Sequence, residues 1–235
     1  MRYTYLLLNV FTISIPLLRS FESRIYFFGK WKHYLPANLF TAIFFLVWDY
    51  LKTVNGVWRF SPDYTLGHNV IGLPIEEILF FITVPYACVF IYETVCLFVH
   101  KQYLSKNINQ IMFWLGALLL ITSTVFTHKA YTFTVLSIGG VVFMLAAKCM
   151  SAEFIERFLM MYGISIIPML LVNGVLTALP VVIYNNQHNL GLRVGTIPVE
   201  DFLYSAILLM MNTGLYVWFR QRSAPHHSAT IVTTV

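Results

Sequence analysis

Read for apolar and polar positions, the chain alternates long hydrophobic runs with short polar joints. Seven runs stand out, at residues 3–18, 37–51, 75–98, 111–126, 131–147, 158–183 and 199–219. A helix needs about 20 mostly apolar residues to cross a bilayer, so each run predicts a transmembrane helix. The first, second and fourth runs are short, which leaves six spans open as an alternative to seven. The first run follows Arg2, as a signal peptide would, yet no small-x-small cleavage site follows it, only "RSFESRIYFFGKWK". It is read as a helix, and the expected fold is an all-α polytopic membrane protein of about seven helices.

Composition agrees with that pattern. Hydrophobic residues make up 58% of the 235 and charged residues 11%, against roughly 25% charged in a soluble domain. The basic residues divide unevenly between the two sides that seven spans define. Arg2, Lys52, Arg59, Lys129 and Arg193 fall on one side; Arg19, Arg24, Lys30, Lys32, Lys101, Lys106, Lys148, Arg157, Arg220 and Arg222 fall on the other. The richer side is expected to be cytoplasmic, which puts the N-terminus outside and the C-terminus inside a cell membrane. The net charge of +5 then reflects topology and contact with anionic lipid, not nucleic-acid binding. Cys88, Cys96 and Cys149 lack metal-ligand spacing and read as packing residues. The small, polar tail "SAPHHSATIVTTV" is expected to be disordered.

A duplication underlies the runs. "LGHNVIGLPIEEILF" from Leu66 and "LGLRVGTIPVEDFLY" from Leu190 align without a gap at an offset of 124 residues. The alignment pairs Pro74 with Pro198, Glu76 with Glu200, Glu77 with Asp201 and, upstream, Asp49 with Asn173. It predicts two parallel three-helix repeats, residues 1–105 and 129–222, joined by a linking helix at 106–128 and followed by the tail at 223–235. An even number of crossings separates the two motifs, so both carboxylate pairs are expected at one membrane face, where they can line a cavity between the halves.

One such motif has a simple local explanation. Proline suits the first position of a helix, and acids after it suit the positive end of the helix dipole. The distribution of acids weighs against capping as the whole account, because four of the ten in the chain sit at these two places. Ionisable residues at membrane depth usually face a protein interior or a cavity. Along helical faces, Glu77 leads to Phe81, Val84 and Cys88, and Asp201 to Ser205, Leu208 and Asn212; Glu76 leads to Phe80 and Thr83, and Glu200 to Tyr204 and Ile207. Apolar surroundings disfavour the charged form of a carboxyl, and a protonated carboxylic acid beside aromatic rings can protonate an apolar substrate whose cation the ring faces stabilise.

Other chemistry finds little support. No Gly-rich nucleotide loop is present, and the seven histidines form no His-x-x-His or His-x-x-x-His pair, so neither a cofactor nor a metal is expected. Asp49, one turn before Lys52, reads by default as half of a helix-end ion pair. Glu93, deep in the third run, is either a further pathway residue or a helix-end group.

"PIEEILFF" and "PVEDFLY", each opening the last helix of a three-helix unit, resemble the lycopene cyclase domain of the heterodimeric-type enzymes, here in a fused form. The resemblance covers nearly the whole chain apart from the tail. It departs from an even duplication where Asp201 replaces the second Glu and Tyr204 stands opposite Phe80. The resemblance implies lycopene β-cyclase activity, a redox-neutral closure of the acyclic ends of lycopene to β-rings through γ-carotene to β-carotene. It implies catalytic roles for Glu76, Glu77, Glu200 and Asp201. Phe80, Phe81, Tyr204 and Asn212 are expected to bind substrate, with Asn212 orienting Asp201. It further implies lycopene and other carotenoids as partners, membrane lipid around the chain, no cofactor, and a bacterial cell membrane as the location.

Rival readings remain at this level. A retinal protein needs a lysine in its last helix, and residues 199–219 contain none. A seven-helix transporter or binding protein for a lipophilic ligand would carry broken helices in both halves; Pro168, Gly174 and Pro180 interrupt the sixth run, but the second lacks matching breaks. A cyclase forming ε-rings, or acting on longer carotenoids, is a further alternative.

Overall fold

The structure, a computed structural model, describes residues 1–101, 104 and 107–223. Lys106, which opens the expected linking segment, and the tail from residue 224 lie outside the described residues. Helices α1 (Thr4–Arg19), α2 (Trp31–Val54), α3 (Ile75–Phe98), α4 (Ile108–Ser123), α5 (Ala130–Cys149), α6 (Ala152–Ala178) and α7 (Val199–Arg222) follow the seven runs. Among the described residues six helices are long and apolar enough to cross a membrane; α1 is shorter.

Several boundaries differ from the hydropathy reading, and α2 and α6 show the local reasons. α2 starts at Trp31, not at residue 37, because Trp31 and Tyr34 pack inward although Lys32 and His33 hold the local hydropathy down. α6 stops at Ala178, not at residue 183. Pro180 cannot continue the helix, and the β-branched Val181, Val182 and Ile183 favour extended backbone. The chain is thus not purely helical. Val182–Tyr184 forms a strand that pairs with Trp58–Phe60 in the joint after α2.

These strands, β1 (Trp58–Phe60) and β4 (Val182–Tyr184), run antiparallel with Arg59 opposite Ile183. Those two residues are themselves 124 apart, so each joint meets its own aligned counterpart at its midpoint. A hairpin follows in each joint. β2 (Asn69–Val70) pairs with β3 (Leu73–Pro74), and β5 (Arg193–Val194) with β6 (Ile197–Pro198). The first turns through Ile71 and Gly72, both at positive φ, and the second through Gly195 at φ 62°. Two-residue hairpin turns of these kinds match the twist of the flanking strands. Each hairpin ends on the proline that precedes α3 or α7, and so aims both acid pairs into the same end of the bundle.

At the opposite end Glu93 of α3 is 4% exposed and meets three donors. Lys30 forms an ion pair with it, Arg220 reaches it at 2.6 Å and the Tyr216 hydroxyl at 2.8 Å. Glu93 is therefore a helix-end group that ties α2, α3 and α7 together, far from the paired acids. The outward faces carry Phe11, Ile15, Leu39, Phe40, Trp114, Leu118, Ile167 and Leu171, an apolar surface suited to lipid.

α4 and α5 approach closely where Gly116 meets Gly140. A Cβ on Gly140 would lie 2.5 Å from Leu120 Cγ and 2.7 Å from the Gly116 carbonyl oxygen. Small residues permit such backbone approach between membrane helices. Gly140→Val is expected to force the two helices apart and destabilise the fold by about 1–3 kcal/mol. Thermal unfolding in detergent checks this, with Gly163→Ala as the control, because a Cβ there meets nothing within 4 Å.

Candidate active site

The two acid motifs are built alike. Glu76 Oε1 accepts the Leu66 N–H at 2.6 Å, and Glu200 Oε1 accepts the Leu190 N–H at 2.7 Å. The His68 carbonyl accepts the Ile75 N–H, and the Leu192 carbonyl accepts the Val199 N–H. In each copy the first acid thus folds the Leu-Gly segment back over the helix start. Glu200 Oε1 also accepts the Thr132 hydroxyl at 2.6 Å. These bonds occupy Glu76 and Glu200 with the loops and with α5.

The second acid of each pair faces a cavity. Helices α1, α3, α6 and α7, with β1, β4, Asp49 of α2 and Tyr131 of α5, line an apolar space of about 1060 Å3 that includes its open mouth. Glu77, Phe80, Val84, Cys88 and Ile91 line it from α3, a stretch of about 21 Å at 1.5 Å per residue. Glu77, Asp201 and Asp49 are the acidic side chains on its wall.

Each carboxyl there has its own partners. The Tyr5 hydroxyl donates to Glu77. Asp201 accepts the Tyr131 hydroxyl on Oδ1 at 2.6 Å and the Tyr184 hydroxyl on Oδ2 at 2.9 Å. Burial, and after it the neighbouring Asp201 carboxyl, push the Tyr184 phenol well above its ordinary range, which keeps it a hydrogen-bond donor. Aromatic rings surround this polar end. Trp58 lies edge-on to Tyr131 with centroids 5.1 Å apart, and Tyr204 packs at 5.2 Å against both Phe45 and Trp48. The arrangement can hold a proton, accept a proton, and shelter a carbocation between aromatic faces.

The structure distributes the expected site residues unevenly. Glu77, Asp201, Phe80 and Tyr204 line the cavity. Glu76, Glu200, Phe81 and Asn212 are buried but are not among its lining residues. Phe81 packs on Phe45 at a centroid distance of 6.0 Å, so the cavity lies on the i+3 side of Glu77, toward Phe80, and not on the i+4 side. The amide of Asn212 has no hydrogen-bond partner among the described residues, and tyrosines hold Asp201 in its place.

Asp49 departs most from expectation. Lys52 donates to the Ala130 carbonyl at 2.9 Å, and Asp49 lines the same cavity as Glu77. Asp49 and its aligned counterpart Asn173 both line the cavity, so the duplication did carry a signal for them. Tyr5 and Tyr131 escaped the alignment because they are 126 residues apart, two off the common offset. Among the described residues no group of three or more His, Cys, Asp or Glu side chains is placed to hold a metal ion.

The hydrogen bonds of Glu76 and Glu200 predict loop order. Glu76→Ala leaves the Leu66 N–H without its acceptor, a loss of about 1–3 kcal/mol, and amide exchange across residues 61–73 is expected to quicken by about tenfold. Glu200→Ala is expected to do the same at 185–197. Hydrogen–deuterium exchange in detergent measures both, with the opposite loop of each variant as its internal reference.

Comparison with known proteins identifies a family. The family model described as "Lycopene cyclase" matches residues 2–95 and 128–219, which carry both acid motifs and leave out α4. A curated relative, the bifunctional lycopene cyclase/phytoene synthase of Podospora anserina, is 30% identical over 114 residues, 46% of this chain and 19% of that protein. The match therefore spans about one fifth of that relative's length. No solved structure matches. With its family model matched over most of its length and both acid motifs inside the matched segments, the chain belongs to the lycopene cyclase family.

Proposed function

We propose that this chain is a lycopene β-cyclase that closes the acyclic ends of lycopene, giving γ-carotene and then β-carotene. One observation carries the reading: Glu77 and Asp201, from the two halves, line one apolar cavity but have different hydrogen-bond partners. Glu77 acts as the general acid and Asp201 as the general base. Glu77 gives its proton to the terminal double bond of the substrate, leaving a tertiary cation. The neighbouring double bond attacks that cation and closes the ring. Asp201 takes the proton lost from a ring carbon, which restores a double bond inside the ring. No electrons are gained or lost, and the apolar walls keep water from capturing the cation.

The same reading takes the chain as two parallel three-helix repeats, 1–105 and 129–222, joined through α4. It places the acid end of the bundle on the outer face of a bacterial cell membrane and the Glu93 end in the cytoplasm, as the basic residues suggest. Glu76 and Glu200 hold the loops over the site, and Phe80 and Tyr204 contact the substrate.

Expression of the chain in a lycopene-accumulating bacterial host, followed by chromatography of the pigments, tests the reading. γ-Carotene or β-carotene is expected with the chain and not without it. Glu77→Gln is expected to lower ring formation by about 10²-fold or more while the protein still inserts in membranes. ε-Ring products, or unchanged lycopene with the protein present in membranes, would reject the β-cyclase assignment.

A further inference from the structure

The helices around the cavity are not joined equally. Toward the joints the β1–β4 ribbon covers it, with Trp58, Phe60, Val182 and Tyr184 on the wall and Trp58 itself buried. The seam between α1 and α3 is bonded along its length. Asn9 donates to the Glu76 carbonyl at 3.0 Å and accepts the Thr83 hydroxyl at 2.7 Å, and farther down Ser20 meets the Tyr86 hydroxyl at 2.6 Å. The seam between α6 and α7 is bonded as well. The Tyr162 hydroxyl donates to the Phe202 carbonyl at 2.5 Å, and the Thr177 hydroxyl meets that of Thr196, just before β6, at 2.6 Å.

The seam between α1 and α6 differs. Among the described residues no hydrogen bond joins these two helices, and Thr12 turns its hydroxyl back to the Leu8 carbonyl of its own helix at 2.8 Å. Near the joints the two helices do meet, where Tyr5 and Leu8 cluster with Val172 and Leu176. Farther from the joints that contact is lost. Ile15, seven residues after Leu8 and so on the same face of α1, is 66% exposed. Pro168, four residues before Val172, lies on the cavity wall and is exposed too. A residue on the wall that is also exposed outside marks the mouth. At 1.5 Å per residue, Thr12 lies about 10 Å beyond Tyr5, Val84 about 10 Å beyond Glu77, and Pro168 about 6–12 Å from Val172 and Leu176. Thr12, Val84 and Pro168 thus line the cavity at a similar depth. None of the three is charged, and the outward residues beside them, Phe11, Ile15, Ile164 and Ile167, are apolar.

Building on the cyclase reading, we propose that the seam between α1 and α6 is a lateral portal for a linear, uncharged polyene. The substrate enters end-on from the bilayer. Its end group reaches Glu77 and Asp201, while the rest of the chain passes between Thr12, Val84 and Pro168 and stays in lipid. Two physical arguments favour this seam over the other routes. A hydrocarbon dissolved in lipid would lose free energy by crossing water, and the ribbon covers the end of the cavity toward the joints, so an opening on the lipid-facing flank spares the substrate that crossing. Helices that separate to admit a chain must break whatever hydrogen bonds join them, and in an apolar setting a freed donor or acceptor finds no replacement. The α1–α6 seam can widen without that cost, whereas the α1–α3 and α6–α7 seams cannot.

The test uses the full chain in lipid vesicles that carry lycopene, with binding followed by absorption and ring formation by chromatography. Thr12→Trp and Pro168→Trp fill the seam from its two sides. Each is expected to bind lycopene about tenfold more slowly than the parent, and to lose ring formation in that proportion when lycopene is scarce but not when it is abundant. Ile167→Trp, next to Pro168 but facing outward, is expected to match the parent. Parent-like binding rates in both membrane-inserted seam variants would overturn the portal, and so would equal slowing in Ile167→Trp. Where both seam variants fail to insert, a nitroxide attached at Thr12→Cys, in a chain whose three cysteines are replaced by alanine, reports the same seam. Its collisions with oxygen dissolved in the bilayer are expected to fall when lycopene is added, and unchanged collisions overturn the portal. Slow binding in the seam variants with no ring product from the parent rejects the cyclase reading and leaves the portal standing. Ring formation by the parent with parental binding rates in both seam variants rejects the portal alone, and a parent that binds no lycopene rejects both.

Discussion

A carboxyl inside an apolar bundle has no water to solvate it, so a donor or a proton must come from elsewhere in the chain. That requirement organises this protein. Glu77 draws the Tyr5 hydroxyl from α1 onto α3, and Asp201 draws Tyr131 from α5 and Tyr184 from β4 onto α7. Asn9 extends the first tie, donating to the Tyr5 and Glu76 carbonyls and accepting the Thr83 hydroxyl. At the other end Glu93 gathers α2, α3 and α7 through Lys30, Arg220 and Tyr216. Apolar packing against lipid-like neighbours is weakly directional, since lipid tails are as apolar as the side chains. The polar ties supply the register that such packing lacks.

Each acid motif divides its work between two adjacent residues about 100° apart on a helix. Glu76 and Glu200 face the joints and hold backbone N–H groups; Glu77 and Asp201 face the cavity. The proline ahead of each pair stops the hairpin and sets where the helix starts, which fixes the face each acid takes. Capping and chemistry are therefore not rival accounts of the same pair. Under the cyclase reading they belong to different members of it.

Much of this was legible in the sequence because long apolar runs and a gapless duplication are strong signals. Helix α3 spans the residues its run predicts, and the acid pairs reach one end of the bundle as the parity of crossings requires. What the sequence could not place depends on contacts between distant segments. Tyr5 and Tyr131 are two tyrosines among 14, and nothing local marks them as donors to buried acids. Lys52 is one turn from Asp49, yet Lys52 turns to the Ala130 carbonyl and Asp49 to the cavity. The wall of the cavity also depends on the i+3 or i+4 choice at Glu77, about 100° of rotation that hydrophobic pattern alone leaves open.

The alignment of the two halves makes the cavity itself informative. α6 lines it with Met169 and Val172, and α7 adds Ser205. The aligned residues, 124 positions earlier, are Phe45, Trp48 and Phe81. These three are buried in one aromatic cluster, with Phe45 stacked on Trp48 at 5.5 Å and 6.0 Å from Phe81. Where the second half keeps small or flexible side chains, the first half fills the matching space with rings. Glu77 and Asp201, one from each aligned motif, are both turned into this cavity. Under the cyclase reading this asymmetry has a consequence for the substrate. The protonated acid and the proton acceptor belong to a single chamber, so the two ends of a linear carotenoid are closed in turn, and the molecule must withdraw and reverse between the first ring and the second.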